Sequence, residues 1–430
     1  MEVLIFVAVL FLLLFTGLHI GVALGVSALT ILVIFQGTSL NVVAQQTFNS
    51  GNSYALAAIP FFILAGDLIM KGGLAKKILE LTDIVTHKIQ GGTAMGAMLV
   101  SVFFAAVSGS SVASAAAVGK NLVQLMGEKG YPKKFVAGLV ATGGTLGLLI
   151  PPSLSFILIG SMIGIPVIDL FTAGIVPGVM QATMLLIMTW WICRKKGWEI
   201  PSAIKESREK VKNRVSSLKS IGSASGVLLL PFLILGGIYL GFFTPTEVSA
   251  VAVIYAAFLA VIIYKSIKAK ELWGISRDAL YQTGMIYLIL IGGGLTAYML
   301  KVLGLTSQIV TVVGDWGLTG WQFLIIVNIL LLIIGLFLDG VTVIALVAPI
   351  LFPIATGLGI DPIHFAVIMT MNIEIATLTP PVGLNLFVMS GLTNISIQDV
   401  AKGVGPYYVV LFVSLILVTY FPQISLVLLN

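Results

Sequence analysis

Apolar runs long enough to cross a bilayer follow one another through almost the whole chain, and two of them are broken in the middle by residues that stop a helix. The run at 95–118 is divided by Ser108-Gly109-Ser110-Ser111. The run at 135–163 is divided by Gly143-Gly144-Thr145-Leu146-Gly147-Leu148-Leu149-Ile150-Pro151-Pro152-Ser153. Hydrocarbon offers no partner to a backbone N–H or C=O, so a break at that depth persists only inside protein or beside a polar cavity, where ions and ligands take up the freed groups. Both breaks therefore read as parts of a binding site. Taken singly, Ser-Gly-Ser-Ser has a plainer reading as close helix packing, and Pro-Pro as a kink.

Repetition weighs against the plainer readings. Gly109 is matched by Gly340 in Leu338-Asp339-Gly340-Val341-Thr342, Pro132 by Pro362, and Pro151-Pro152 by Pro380-Pro381 in Leu378-Thr379-Pro380-Pro381-Val382, at offsets of 231, 230 and 229. Upstream, Lys71-Gly72-Gly73-Leu74 aligns with Lys301-Val302-Leu303-Gly304-Leu305. Four anchors in one order at nearly one spacing mark two copies of one unit.

Composition sets the class. With 58% hydrophobic and 9% charged residues among 430, the chain is too apolar for a soluble globule, where charged residues make up about a quarter. It reads as an all-α polytopic membrane protein. The single cysteine, Cys193, excludes an intrachain disulfide, and three scattered histidines make no metal site. The formal charge of +6 falls in loops between apolar runs, where it orients the chain in the lipid bilayer and does not read as a nucleic-acid surface. The amino terminus has no basic n-region and no small-residue cleavage site, so it is expected to stay as a membrane anchor.

The chain divides into four stretches. Residues 1–60 supply scaffold spans at 3–15 and 19–35, then a polar segment at 37–54 expected along an interface, against a partner or as a loop. Residues 61–193 hold the first repeat: a re-entrant hairpin at about 92–120, a broken transmembrane helix at about 133–164, and a returning span. Residues 194–277 combine a linker carrying nine Lys or Arg against three Glu at 194–219, cytoplasmic by the positive-inside rule, with a central scaffold pair at 227–240 and 248–264. Residues 278–430 hold the second repeat, with a hairpin at about 321–355, a broken helix at about 362–390 and a C-terminal span. Loops that carry Lys71, Lys76, Lys77, Lys88, Lys120, Lys129, Lys133 and Lys134 in the first copy are nearly bare in the second, where no Lys or Arg occurs between Lys301 and Lys402. The copies thus face opposite ways, the inverted repeat that gives secondary transporters two related states with access exchanged.

Two kinds of ligand come with such breaks. Carbonyls freed at Gly147, Ile150 and near Thr377 and Thr379, with the hydroxyls of Ser108, Ser111, Thr145, Thr342 and Thr379, offer hard oxygen suited to sodium. Half-helix amino termini after Ser111 and after Pro152 offer N–H groups and a positive dipole end to an anion. The hydroxyls of Ser110, Thr145 and Ser153 and the amides of Asn372 and Asn385 complete the candidate substrate set. All four arginines read as lying in cytoplasmic loops. An anion is therefore expected to be held without a guanidinium clamp, with Lys301 the one cation to watch. Four carboxylates fall at or near membrane depth, where such groups are costly. Asp339, at a tip, is a cation candidate; Glu374 reads as a structural acceptor, a sodium neighbour or a proton site; Asp67 and Glu247 read first as caps or inter-helix hydrogen-bond partners.

These breaks, together with Phe61-Phe62-Ile63-Leu64-Ala65-Gly66, Gly241-Phe242-Phe243-Thr244-Pro245-Thr246-Glu247 and Thr379-Pro380-Pro381-Val382-Gly383, resemble the large membrane subunit, of DctM type, of the tripartite ATP-independent periplasmic (TRAP) transporters. The resemblance runs along essentially the whole chain. It implies a multi-pass subunit of the bacterial inner membrane that works with a small DctQ-type membrane subunit and a periplasmic substrate-binding protein delivering an organic acid anion, such as a C4-dicarboxylate or sialic acid. It implies sodium ions as coupling ions, and an elevator-type movement in which the hairpins and broken helices slide as a block against a scaffold. One sodium site would use Ser108, Gly109 and Ser111 with Gly147, Ile150 and Pro152; the other would use Gly340 and Thr342 with Ala376, Thr379 and Pro381. The extra amino-terminal spans of fused versions are missing, so the small subunit is expected as a separate polypeptide. The competing reading is a self-sufficient sodium/dicarboxylate symporter. A membrane enzyme would need paired aspartates or a His-Glu metal motif, which the sequence lacks, and a channel has no use for two inverted, interrupted units.

Overall fold

The computed structural model describes residues 1–72, 78, 82, 86, 89–198, 218–315 and 317–429, and every regular element among them is a helix. Two apolar helices open the chain, α1 (Glu2–Phe15) and α2 (Ile20–Thr30), the second continuing in wider turns over Ile31–Phe35. The polar segment is also helical, α3 (Leu40–Gly51), and buries only Val43; α4 (Ala58–Lys71) follows. The first hairpin is α5 (Gly92–Ser108) and α6 (Ser111–Glu128), packed on each other. It turns at Gly109, whose φ of +63° costs glycine nothing. The first broken helix is α7 (Lys133–Thr145) and α8 (Leu154–Ile163), and α9 (Val167–Lys196) returns. Three helices follow the linker: α10 (Leu218–Tyr239), α11 (Pro245–Ala257) and the 34-residue α12 (Ala269–Val302). Then α13 (Leu305–Asp315) leads into the second hairpin, α14 (Gly320–Gly335) and α15 (Gly340–Gly357). The second broken helix is α16 (Pro362–Ala376) and α17 (Leu384–Thr393), and α18 (Ile397–Tyr420) comes last of the long helices.

Among the described residues six helices are long and apolar enough to cross a membrane. The half-helices, 10 to 15 residues long, reach only about 15–23 Å at 1.5 Å per residue, so a hydrocarbon layer of about 30 Å needs both halves of each pair.

The helices fall into two groups. α2, α3 and α4 pack on α12, and α11 packs on α4, forming a scaffold. The hairpins, broken helices, α9 and α18 form a second body, in which the repeats exchange partners: α6 lies on α17, and α15 lies on α8. Likewise α7 packs on α18, and α16 on α9. A reciprocal exchange of this kind follows from a two-fold relation between the copies, as in an inverted repeat. Two glycine pairs set the closest approaches. A Cβ on Gly21 would strike the backbone of Leu288 and Ile289, with Gly292 facing back, and one on Gly138 would strike the backbone at Gly403. Only glycine lets helix backbones approach this closely.

Several elements differ from expectation. The polar segment is not a loop: α3 lies along α12 of its own chain and leaves most of its residues exposed. The hairpin arms are full helices of 17 and 18 residues, since the polar stretch after Gly119 continues α6 beyond the apolar run. Arg194 closes α9 and Arg277 lies inside α12, so neither stands in a loop. The reason at Arg277 is that Glu271 accepts from the Lys268 backbone N–H at 2.9 Å, starting the helix before the basic residues. Lys76, Lys77 and Lys88, and most of the basic linker with Arg208 and Arg214, lie outside the described residues.

Candidate functional site

Both hairpin tips end on one cavity of about 130 Å3. Ser108, Gly109, Ser110 and Ser111 line it from the first tip, Asp339, Gly340 and Val341 from the second, and Thr377 from the second break. The scaffold contributes Asp67 from α4 and Gln282 from α12, which hydrogen-bond at 3.5 Å.

The first tip satisfies its own polar groups. Ser110 caps α6 by accepting from Ala113 N–H at 3.4 Å, and its carbonyl accepts from Ser114 N–H at 3.1 Å and Ser114 Oγ at 2.6 Å. Ser108 Oγ lies 2.7 Å from Ser114 Oγ. Gly109 C=O accepts from Leu154 N–H at 3.1 Å, tying the tip to the second half of the broken helix. A Cβ on Gly109 would come within 2.6 Å of Pro152 O, and one on Gly147 within 3.1 Å of Ser110 O. Gly109 and Ser110 of the tip thus meet Pro152 and Gly147 of the break in one tight seam, with Ser108 and Ser111 beside them in the chain. Ile150 N–H donates to Leu146 O at 2.7 Å, and its side chain packs towards Gly178 of α9. Ser153 caps α8, accepting from Phe156 N–H at 3.3 Å and donating to the Leu148 carbonyl. Thr145, fully buried, donates to Thr142 O at 2.8 Å.

The second tip does the same work with a carboxylate. Asp339 Oδ1 accepts from Val341 N–H at 3.0 Å and Thr342 N–H at 3.2 Å, and Oδ2 accepts from the Thr342 hydroxyl. Asp339 is therefore the cap of α15, as Ser110 is of α6. Leu336 C=O accepts from Val382 N–H at 3.3 Å, the counterpart of the Gly109–Leu154 bond. Gly340 lies against Ile373, and Gly335 against Ala376. Thr377 donates to Glu374 O at 2.8 Å, and Thr379 to Ile375 O at 2.7 Å. The two breaks differ in one respect: Pro151, Pro152 and Ser153 are buried, whereas Pro380, Pro381 and Val382 are exposed.

Asn372 and Asn385 stand apart from the cavity and are fully buried. Asn372 Nδ2 donates to Asn328 Oδ1 at 2.7 Å and Ile368 O at 2.9 Å; Asn385 Nδ2 donates to Ala141 O at 3.3 Å. Among the described residues neither Oδ1 has a partner. Glu374 is also buried; Gln181 Nε2 donates to its Oε2 at 2.9 Å while Oε1 has no partner among the described residues, and Ser414 donates to Gln181 Oε1 at 3.4 Å. Glu247 is an exposed cap, closing a reciprocal pair of bonds with Thr244. Gln181, Gln282 and Asn328 were not singled out from sequence, although Gln181 and Gln282 are each the one amide side chain of their helix and Asn328 stands in the middle of an apolar run, signs of an inter-helix bond. No group of three His, Cys, Asp or Glu among the described residues could hold a metal; the oxygens lining the tip region are the carboxylates of Asp67 and Asp339 together with serine and threonine hydroxyls and backbone carbonyls.

Known proteins fit this geometry. The chain is 40% identical to the C4-dicarboxylate TRAP transporter large permease protein DctM of Pseudomonas aeruginosa, over 95% of this chain and 94% of that one. It is 32% identical to the sialic acid TRAP transporter large permease protein SiaM of Vibrio cholerae, over 97% and 96%. It is 34% identical to the isethionate TRAP transporter permease protein DctMQ of Oleidesulfovibrio alaskensis, over 95% of this chain but 64% of that one. The solved structure of the Alcanivorax borkumensis YdaH transporter superposes with a TM-score of 0.57 at 12% identity, covering 90% of this chain and 89% of that one, and supports the fold alone. The family described as "Tripartite ATP-independent periplasmic transporter, DctM component" matches residues 7–424. With inverted hairpins, broken helices and this match along nearly its whole length, the chain belongs to the DctM component family of the TRAP transporters, as a multi-span membrane transport protein.

Proposed function

We propose that this chain imports an organic acid anion across the bacterial inner membrane, coupled to sodium, by moving the body of hairpins and broken helices against the scaffold. The observation that carries the reading is the cavity at which both tips, both breaks and two scaffold helices meet. Its walls come from parts that pack in separate groups, so a shift of one group against the other opens or closes it. The donor set suits sodium. A hydroxyl that donates to its own helix, as Thr145 and Thr379 do, keeps its lone pairs, and a carbonyl with one partner keeps a second. Ser108, Gly109 and Ser111 with Gly147, Ile150 and Pro152 would hold one ion, and Gly340 and Thr342 with Ala376, Thr379 and Pro381 the other. An anion would sit between them on the amino termini of α6 and α8, near Ser110 and Ser153, where N–H groups and dipole favour negative charge. Thr145, Asn372 and Asn385 lie deeper and would act by fixing the breaks.

The anion is a C4-dicarboxylate, sialic acid or a similar carboxylate, as the names of the relatives suggest, delivered by a periplasmic binding protein to a complex with a DctQ-type small subunit. The relative that is half as long again and named DctMQ is consistent with such a partner. The test is uptake of labelled succinate or N-acetylneuraminate into proteoliposomes holding this chain, with and without the small subunit, the binding protein and an inward sodium gradient. Accumulation is expected only with all of them, and Ser111→Ala or Thr379→Ala should raise the half-saturating sodium concentration about three- to tenfold. Accumulation by this chain alone would favour the self-sufficient symporter, and uptake indifferent to sodium would sink the coupling.

A further inference from the structure

A second, larger cavity of about 830 Å3 lies between α3, α12, α15 and the end of α8. It shares no lining residue with the tip cavity. Its polar wall includes Gln46, Asn49 and Ser53 on the α3 side, Tyr298 and Lys301 on α12, and Ser161 at the end of α8. Among the described residues Lys301 is the only charged one in the lining, no Asp or Glu faces it there, and no ion pair includes it. Ser161 Oγ is buried at this wall without a hydrogen-bond partner. A buried hydroxyl left unpaired costs stability unless a ligand or water completes it. Amide, hydroxyl and ammonium groups around a space of ligand size, with no competing carboxylate, make a receptor for a small anion with further polar groups.

We propose that this cavity is a second anion site, in which Lys301 holds the carboxylate of a small organic acid away from the hairpin tips; the proposal rests on the reading of the chain as an organic-acid carrier. Two of its walls, α3 and α12, belong to the scaffold and two, α15 and α8, to the other body, so its width changes with their relative position. It lies at the Lys301 end of α12. Under the opposed orientation of the repeats, that end is opposite the one marked by Lys71, which places the site on the side where substrate is loaded.

The test uses the full chain in a Cys193→Ser background carrying Asn49→Cys, with Ser53→Cys as a second reporter, purified in sodium-free choline buffer. Labelling is followed with thiosulfonate reagents of opposite charge. The anionic reagent is expected to be favoured over the cationic one by at least about threefold more with Lys301 present than in Lys301→Gln. Succinate, citrate or N-acetylneuraminate should slow labelling, with a half-protecting concentration that rises at least about tenfold in Lys301→Gln and returns in Lys301→Arg. Equal charge preference with and without Lys301, or no protection by any of the three acids at either reporter, overturns the site. Protection that needs sodium, or that vanishes in Ser111→Ala, also overturns it, since the labels would then be reporting the tip cavity. Lys301-dependent protection in a chain that fails sodium-driven uptake would leave the site standing and remove the transport reading, and the reverse result would remove only the site.

Discussion

Asp339 and Ser110 cap the second arms of the two hairpins, and each starts a helix by accepting from backbone N–H in a place where hydrocarbon would offer no partner. Asp339→Ala should therefore lower stability by about 1 kcal/mol, the usual worth of a cap, read as a drop in the melting temperature of the purified chain. Asp339→Ser, which can still accept, should recover most of it. If Asp339→Ser instead keeps the fold and loses sodium dependence, the carboxylate has a role beyond capping. Glu374 is a sharper case, because among the described residues its carboxyl group has one hydrogen bond, from Gln181. Gln181→Leu leaves the carboxyl group without that donor and should cost about 1–3 kcal/mol, measured in the same way. The breaks themselves were legible in the sequence because serine, glycine and proline interrupt apolar runs in a way composition cannot hide. The partners were not: Gln181 and Glu374 lie 193 residues apart and Gln282 and Asp67 lie 215 apart, and only the folded chain brings them together.

The helices are held at their closest crossings by glycine. Gly138 of α7 faces Gly403 of α18 with no room for a side chain on either, so Gly403→Val should force the helices apart at a cost of about 1–3 kcal/mol or more. Gly236, which has nothing within contact distance, should accept alanine without loss of folded protein on size exclusion, and equal tolerance at both positions would contradict the packing. A tip glycine and a proline pair are local signals for a hairpin and a break, but nothing local marks where an arm ends, and the first hairpin runs on to Glu128, past the expected end at about 120. The helical state of 40–51 was not legible. Leu40, Val43, Ala44 and Phe48 fall at helical spacing, but the asparagines and glutamines among them read equally as loop, and what holds the helix is a face of α12 more than two hundred residues away.

The two bodies meet along a seam that includes α12 against α15. If transport requires them to slide, joining Asn49 on one side to Thr356 on the other through introduced cysteines and a reducible cross-linker should abolish uptake, and reduction should restore it. Uptake that survives a complete cross-link would mean that the seam stays fixed. The duplication was legible because both copies keep their helix-breaking anchors at nearly constant spacing, while the exchange of partners between them was not, since no local pattern says which half-helix a hairpin arm will lie on. That exchange has a consequence for how the protein is made. The second arm of the first hairpin packs on a half-helix encoded about 270 residues later, and at a synthesis rate of about 5–20 residues per second it waits about a quarter of a minute to a minute for that partner. For that time the face of the arm around Gly119, which Met389 of the half-helix later covers, stands open in the bilayer.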